Sequence, residues 1–192
     1  MRLDINVKGL DVFLRDLKQA AELSPTATSR ALNRTASKAR TIVKKQIRQE
    51  YNLKSNDLGR GLTLDKAITI SWSSTFRLEA HLVSAGKRIA LTKFRGTRAT
   101  RAGVIAKVKK SSGFFLFQHA FIATMPKTGH VGVFERTKGK TRTGKQKLYQ
   151  LTGPGIYGLL GSKAMMEVIN QLIEAELPKL LDHELHFFFY GR

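Results

Sequence analysis

Residues 67–82 read AITISWSSTFRLEAHL, and the periodicity of this stretch decides the fold class. Apolar and polar residues alternate in Ala67–Trp72 and again in Phe76–Leu82, with Ser73-Ser74 between the two runs. A period of two is that of a half-buried strand, so the stretch predicts a β-hairpin. The segments before it and at the end of the chain follow a helical period. The sequence therefore predicts an α+β protein.

Three helices are predicted around this hairpin. Residues 10–22 carry apolar side chains at the i, i+3, i+4, i+7 spacing of an amphipathic helix. A second helix is expected to begin at Ser24-Pro25 and to run to Glu50, because serine caps helix N-termini and proline fits the first helical position. Ser162 is expected to cap the last helix, which Pro178 should kink or split.

Further strands are expected in the middle of the chain, and the helices should pack on one antiparallel sheet built from residues 66–136. Residues 137–147 are polar and basic, with two glycines, and predict an exposed, mobile loop. The other predicted strands or extended segments are residues 89–94, 103–108, 117–124 and 131–136.

Three segments are expected along the chain. Residues 1–23 form an N-terminal amphipathic helix, and residues 24–161 form a helix with a basic antiparallel-sheet core that includes the loop 137–147. Residues 162–192 form a C-terminal helix and an aromatic tail.

The charge of the chain is strongly positive, with 34 Lys and Arg against 14 Asp and Glu. Between Ala80 and Met166 a single acid, Glu135, faces 17 basic residues. Such an excess favours contact with a polyanion, because basic side chains displace counterions from phosphate. A solvated basic surface, or one that meets an acidic protein, is the alternative. The candidate phosphate-facing residues are Lys87, Arg88, Lys93, Arg95, Arg98, Arg101, Lys138, Lys140, Arg142, Lys145 and Lys147.

Several classes of function are disfavoured by the sequence. It contains no cysteine, which excludes disulfides and thiolate zinc sites, and no apolar run near the ~20 residues of a membrane span. No phosphate-loop, serine-hydrolase or HExxH motif occurs, so neither an enzyme nor a cofactor is expected. His183 and His186 beside Glu184 could form a metal face, but a solvated helix end explains them better.

Three phenylalanines, Phe114, Phe115 and Phe117, follow a run of lysines. They could form a stacking platform for single-stranded nucleic acid. We favour the alternative that they belong to a strand entering the core, because aromatic residues are strand formers.

One sixteen-residue stretch resembles a known family. Residues 121–136 read FIATMPKTGHVGVFER, which is similar to the central motif of the phage minor tail protein Z family: F-[IV]-A-T-M, a short polar turn, then G-H-x-G-V-F-x-R. Residues 31–40, ALNRTASKAR, look like the N-terminal helix of that family, and residues 89–104 are similar to the segment before its central motif. Gly153-Pro154 corresponds to its later L-Y-G-P turn, with Thr152 in the place of tyrosine.

This resemblance implies a tail-completion protein of a long-tailed phage, at the head-proximal end of the tail and close to the path of the DNA. It further implies contacts with other tail or neck proteins and a homo-oligomeric ring, most often a hexamer. The protein would belong to the virion and would be present in the host cytoplasm during assembly. The aromatic C-terminus is the candidate oligomer interface, with residues Phe187, Phe188, Phe189 and Tyr190.

A second interpretation stays open beside this one. The basic middle of the chain would also suit a stand-alone, sequence-independent nucleic-acid-binding protein, since no base-reading motif is present. Oligomeric state separates the two interpretations, because a closed ring favours assembly and a monomer with tight DNA affinity favours the second.

Overall fold

A computed structural model describes residues 22, 24–54, 57–59, 62–84, 88–142 and 144–191. The helix predicted at 10–22 lies outside these residues apart from Glu22. The described chain forms two compact units. Unit 1 comprises residues 1–46, 68–85 and 157–192, and unit 2 comprises residues 47–67 and 86–156.

The described elements begin and end with a long helix and have most of their strands between them in the middle of the chain. The helices are α1 (Pro25–Glu50), α2 (Leu64–Ala67), α3 (Ile156–Leu160) and α4 (Lys163–Tyr190), with a 3-10 turn at Leu91–Lys93. The strands are β1 (Asp57–Gly59), β2 (Leu62–Thr63), β3 (Ile68–Ser71), β4 (His81–Ser84), β5 (Arg88–Ala90), β6 (Arg98–Thr100), β7 (Gly103–Ala106), β8 (Phe115–Gln118), β9 (Phe121–Thr124), β10 (Val131–Lys140) and β11 (Gln146–Gly155). The predicted α+β class is confirmed.

The prediction of one antiparallel sheet is correct in the pairing direction but wrong in the number of sheets. The described strands form four separate antiparallel sheets, in the orders β1-β2, β3-β4, β5-β11-β10-β9 and β6-β7-β8. The predicted strand 117–124 is in fact two strands that join different sheets. His119 separates them with a left-handed φ of 58°, which turns the chain.

In unit 1, α1 begins where the sequence predicts. The Ser24 hydroxyl accepts a hydrogen bond from the Ala27 amide at 3.3 Å, which satisfies one free N–H of the first turn. The buried face of the helix consists mainly of small residues, Ala27, Ala31, Ala39 and Val43 among them. Such a face lets another element approach the helix closely.

The C-terminal helix α4 packs against this face of α1. Leu177 and Leu181 form a buried cluster with Ala31. Ser162 caps the helix as predicted, accepting from the Met165 amide at 3.4 Å. The predicted split at Pro178 is wrong, because the helix continues to Tyr190. Leucines on both sides of the proline are anchored in the same cluster, and this packing offsets the missing backbone hydrogen bond.

Two ion pairs join α1 and α4. Arg34 Nη1 lies 2.5 Å from Glu184 Oε1, and the Glu184 side chain is only 3% exposed. This contact is an ion pair without the alignment of a hydrogen bond. Lys38 Nζ donates to Glu176 Oε2 at 2.6 Å, and both of these side chains are partly exposed.

Helix α1 is also bonded to the β3–β4 hairpin. The Asn33 amide both donates to the Ser73 carbonyl at 3.1 Å and accepts from the Ser73 N–H at 2.8 Å. Arg40 Nε donates to the Ile68 carbonyl at 2.7 Å. The predicted second strand, 76–82, is shifted to 81–84, because Ser74 and Arg77 pair in a tight turn and leave Phe76 fully exposed. Asn33, Arg34, Ser37, Lys38, Leu180 and the half-exposed Trp72 line a shallow cleft beside this turn.

Unit 2 is built on the sheet β5-β11-β10-β9. Its core includes Ile89, Leu91, Phe94 and Val133, all nearly inaccessible to solvent. Gly153 allows the Phe94 ring to pack on β11, because a Cβ at this position would lie 2.7 Å from Phe94 Cε2. The extended segment predicted at 89–94 is β5 followed by the 3-10 turn.

The basic segment 137–147 is a hairpin end and not the loop that the sequence predicts. It comprises the last residues of β10, a turn, and the first residues of β11. Backbone bonds between Thr141 and Lys145 close the turn, and the Thr137 hydroxyl donates to the Lys147 carbonyl at 3.1 Å. Lysine and glycine are poor strand formers, so that the sequence favours a loop, but the ladder starting at Val133–Leu151 carries the pairing outward.

The Arg34–Glu184 pair should contribute more to stability than the Lys38–Glu176 pair. We expect Arg34→Met to lower the free energy of unfolding by roughly 1–3 kcal/mol, because it leaves a buried carboxylate without its guanidinium. The half-exposed guanidinium keeps this below the ~3–5 kcal/mol expected for breaking a fully buried pair. Lys38→Met should lower the free energy of unfolding by clearly less than Arg34→Met does. Urea unfolding followed by circular dichroism measures both, and equal losses of stability would contradict the ranking.

The Lys38–Glu176 pair also predicts a pH dependence. The hydrogen bond and the charge of Lys38 lower the pKa of Glu176 below its ordinary 4.5. Because the pKa is depressed in the folded state, the contribution is present above the ordinary value and is lost as the pH falls through the lowered one. The difference in unfolding free energy between the native protein and Lys38→Met should therefore shrink in acid. A difference that stays constant would mean that Lys38 acts through packing alone.

Candidate functional site

The positive charge of the chain is concentrated in unit 2. Its residue ranges contain 20 Lys and Arg against four Asp and Glu, whereas those of unit 1 contain 14 against ten. Nearly all of the predicted phosphate-facing residues within the described chain have exposed side chains, and Lys93 alone among them is partly buried. Lys87 lies outside the described residues. The predicted basic surface is therefore accessible.

These residues form two groups in unit 2. The arginine group consists of Arg88 on β5, Lys93 in the 3-10 turn, Arg95, Arg98 on β6 and Arg101. The hairpin group consists of Lys138 and Lys140 on β10, Arg142 and Lys145 in the turn, and Lys147 on β11.

The two groups lie far apart along the same strand. Arg88 pairs with Gly155 at one end of β11, whereas Lys147 lies near its other end. Eight residues separate these positions, which at about 3.4 Å per residue corresponds to roughly 25 Å. The predicted residues thus form two separate groups and not a single cluster.

The family-like motif forms the β9–β10 hairpin of unit 2. Val131 pairs with Thr124 and Phe134 with Phe121, so the two halves of the motif face each other across the ladder. Gly129 provides the left-handed φ of 62° that the turn requires.

The His130 side chain is held by Gln150 on β11 and by Phe134 on β10. The His130 and Gln150 Nε2 atoms are 2.8 Å apart, so that the amide donates when the imidazole proton is on Nδ1. The Phe134 ring meets His130 edge-to-face with centroids 6.5 Å apart. Gly132 leaves room for this ring, because a Cβ there would lie 2.9 Å from it. The turn conformation and these contacts explain the identities of Gly129, His130, Gly132 and Phe134 within the motif.

An open cleft of about 880 Å³ lies beside this hairpin. The charged side chains along it are those of Lys54 and Lys93, which suits an anion better than a cation. Its lining residues are Lys54, Thr92, Lys93, Met125, Thr128, Gly129, His130, Val131, Phe134 and Gln150.

Clusters of possible metal ligands are absent from the part of the chain that the structure describes. No group of three or more His, Cys, Asp or Glu in these residues could hold a metal ion. His183 lies 4.0 Å from Glu184, and His186 packs on the Tyr190 ring. None of the helices among the described residues combines the length and the apolar character that a membrane span requires.

Lys109 is a basic residue of unit 2 that forms an ion pair. Its ammonium lies 2.8 Å from the Glu50 carboxylate and 5.6 Å from the centre of the Tyr51 ring. The hydrogen bond to Glu50 raises the Lys109 pKa, and burial is the main cause that raises the Tyr51 pKa. This lysine serves the structure and is a weaker candidate for phosphate contact.

The phenylalanines Phe114, Phe115 and Phe117 do not enter the core, contrary to the interpretation that we favour from the sequence. Phe114 is 53% and Phe115 is 64% exposed, while Phe117 is partly buried. The reason is topological, because β8 lies at the edge of the sheet β6-β7-β8 and its side chains have neighbours on one side only. The basic and glycine-containing run before β8, from Lys107 to Gly113, is the sequence signal for this exposure.

The C-terminal aromatics are also exposed. Phe187, Phe188 and Phe189 are each about half exposed, and Tyr190 is 76% exposed. The Phe188 and Phe189 rings contact each other edge-to-face at 5.3 Å. Large apolar side chains at an exposed helix end are available for contact with another molecule.

Comparison with known proteins gives one match. The family model described as prophage minor tail protein Z (GPZ) matches residues 7–189. Neither the curated proteins nor the solved structures give a match. Since the matched range is nearly the whole of the 192 residues, this chain belongs to the prophage minor tail protein Z family.

Proposed function

We propose that this minor tail protein is a non-enzymatic structural component of the virion that completes the tail at its head-proximal end, next to the path of the DNA. It joins other tail or neck proteins after their synthesis in the host cytoplasm. Membership of a phage tail family supports the structural role.

The observation that carries the DNA contact is the charge of unit 2. Unit 2 has twenty basic residues against four acidic ones, and nearly all members of the arginine group and the hairpin group within the described chain are exposed. A separation of roughly 25 Å along β11 would span about seven base pairs of duplex at 3.4 Å each. Cations spaced along a duplex contact phosphates, which are the same for every sequence. The proposed contact is therefore indifferent to base sequence.

The proposed assembly is a homo-oligomeric ring of six subunits. The C-terminal aromatics lie in the proposed interface. Phe187, Phe188, Phe189 and Tyr190 would become buried against a neighbouring subunit, and burial of apolar surface would stabilise the contact. Native mass spectrometry of the full chain measures the number of subunits. A monomer that binds DNA tightly would instead favour the stand-alone nucleic-acid-binding protein.

Charge reversal in the arginine group tests the DNA contact. We expect Arg95, Arg98 and Arg101→Glu to weaken binding to a duplex and to lower the slope of log affinity against log salt by about 0.9 for each phosphate that is no longer neutralised. The matched control reverses three exposed basic residues of unit 1, Arg30, Lys45 and Lys163. Fluorescence anisotropy with a labelled duplex measures both, and equal effects would leave only the net charge as the cause.

The same two variants separate DNA contact from docking to an acidic protein. If the arginine group faces DNA, the variant should form complete but poorly infectious particles. If it docks a tail neighbour, tails should fail to join heads. Electron microscopy and plaque titres distinguish these results. Normal joining with a normal titre would reject both roles for the arginine group.

The basic hairpin end should be the first site of cleavage by trypsin. Residues 138–147 contain Lys138, Lys140, Arg142, Lys145 and Lys147, all exposed, at the end of a two-stranded projection. We expect duplex DNA to slow this cleavage without slowing cleavage elsewhere in the chain. Mass spectrometry of the fragments identifies the sites. Resistance of the free protein would show that the hairpin end is rigid, and a lack of protection would place it away from DNA.

A further inference from the structure

We propose that residues 114–117, the aromatic edge of unit 2, form a stacking platform for single-stranded DNA. The inference rests on the proposed function in that it assigns a ligand to part of the basic unit. The platform would stack on nucleobases, whereas the arginine group and the hairpin group would contact phosphates.

The first support is the position of β8 in its sheet. Its inner edge pairs with β7, in the register Phe115–Ala106, Ile105–Leu116 and Val104–Phe117. No described strand pairs with its outer edge. The edge carries no charge or proline that would hinder the approach of another molecule, and these are the residues that commonly protect such edges.

The second support is the arrangement of the rings. Phe115 and Phe117 lie two residues apart on one face of the strand, with centroids 4.8 Å apart in an edge-to-face contact. Phe114 lies on the loop of the arginine group, since a Cβ at Gly96 would be 2.8 Å from Phe114 Cε1. The aromatic edge is thus held beside Arg95 and Arg98.

The third support is charge. The Arg98 guanidinium lies 5.8 Å from the centre of the Phe114 ring, within the range of a cation–π contact. Residues 87–134 contain ten Lys and Arg and no Asp or Glu, and a single carboxylate, that of the exposed Glu135, lines the pocket beside residues 115–118. Because Lys109 is paired with Glu50, the nearest exposed cations for a ligand at this edge are Arg95, Arg98 and Lys110.

Single-stranded DNA is the ligand that can contact both the exposed rings and the neighbouring cations. Its unpaired bases offer flat faces to the rings, and its phosphates match the cations. A duplex hides its base faces in the stack, so it would meet only the cations. An apolar protein partner would cover the rings but would have to remove water from the Arg98 charge, which is unfavourable without an acid.

The test compares two probes, a labelled twenty-nucleotide oligo(dT) and a labelled twenty-base-pair duplex, by anisotropy over a range of salt. We expect Phe114→Ala with Phe115→Ala to weaken oligo(dT) binding by about fivefold or more for each ring. Duplex binding should change by less than about twofold, because the phosphate contacts remain. For the same reason, the salt slope for oligo(dT) should stay unchanged.

Two further variants make the result specific. Phe114→Leu with Phe115→Leu keeps apolar bulk but removes the ring faces, and it should weaken oligo(dT) binding as the alanine variant does. Phe76→Ala removes a fully exposed aromatic of unit 1 that lies outside the proposed oligomer interface, and this variant should bind both probes as the native protein does. Circular dichroism melting of each variant confirms that it is folded.

Three outcomes would overturn the inference: leucine variants that bind oligo(dT) normally, equal weakening for both probes, or alanine variants that are defective only in self-association or tail joining. The last result would make the edge a protein-docking strand. The proposed function fails separately, since it depends on the arginine-group reversal and on duplex binding. If the arginine reversal weakens duplex binding as expected but the phenylalanine variants bind oligo(dT) as the native protein does, only the platform is rejected.

Discussion

Unit 2 must fold against the electrostatic repulsion among its own cations. With four acids for twenty basic residues, few of these charges can be neutralised inside the unit, as Lys109 is by Glu50. Charges separated by more than the Debye length, about 8 Å at physiological salt, repel little. The exposed position of nearly all of the described cations lets water and salt screen them, while an apolar core that includes Phe94 and Val133 supplies the opposing stabilisation.

The helices were predictable because their signals are local. Ser24 with Pro25 and Ser162 mark the helix starts through hydrogen bonds that span three residues, so neighbouring sequence is enough to recognise them. Pro178 shows the limit of such reasoning. Its local cost is real, but the buried leucines on either side depend on α1, which lies far away in the sequence.

Strand pairing was less predictable because it is not local. A period of two identifies β8 and β9 as strands but does not say that they join different sheets. The outward position of Phe114 and Phe115 follows from this pairing, and for that reason the sequence alone favoured a buried strand. The charge of the site, in contrast, depends only on composition, and the exposure of the basic residues follows from their strong preference for water. Sequence reasoning named both the charged and the aromatic residues, but it favoured a buried position for the aromatic ones.

The hairpin turn of unit 1 gives the protein a built-in optical reporter. Trp72 is the single tryptophan of the chain, and it lies half exposed at the cleft lined by Arg34, Lys38 and Leu180. Indole emission responds to the polarity of its surroundings, so its wavelength reports whether this cleft is wet or covered. A neighbouring subunit that occludes the cleft would shift the emission towards the blue, and assembly could then be followed in real time without attaching a dye.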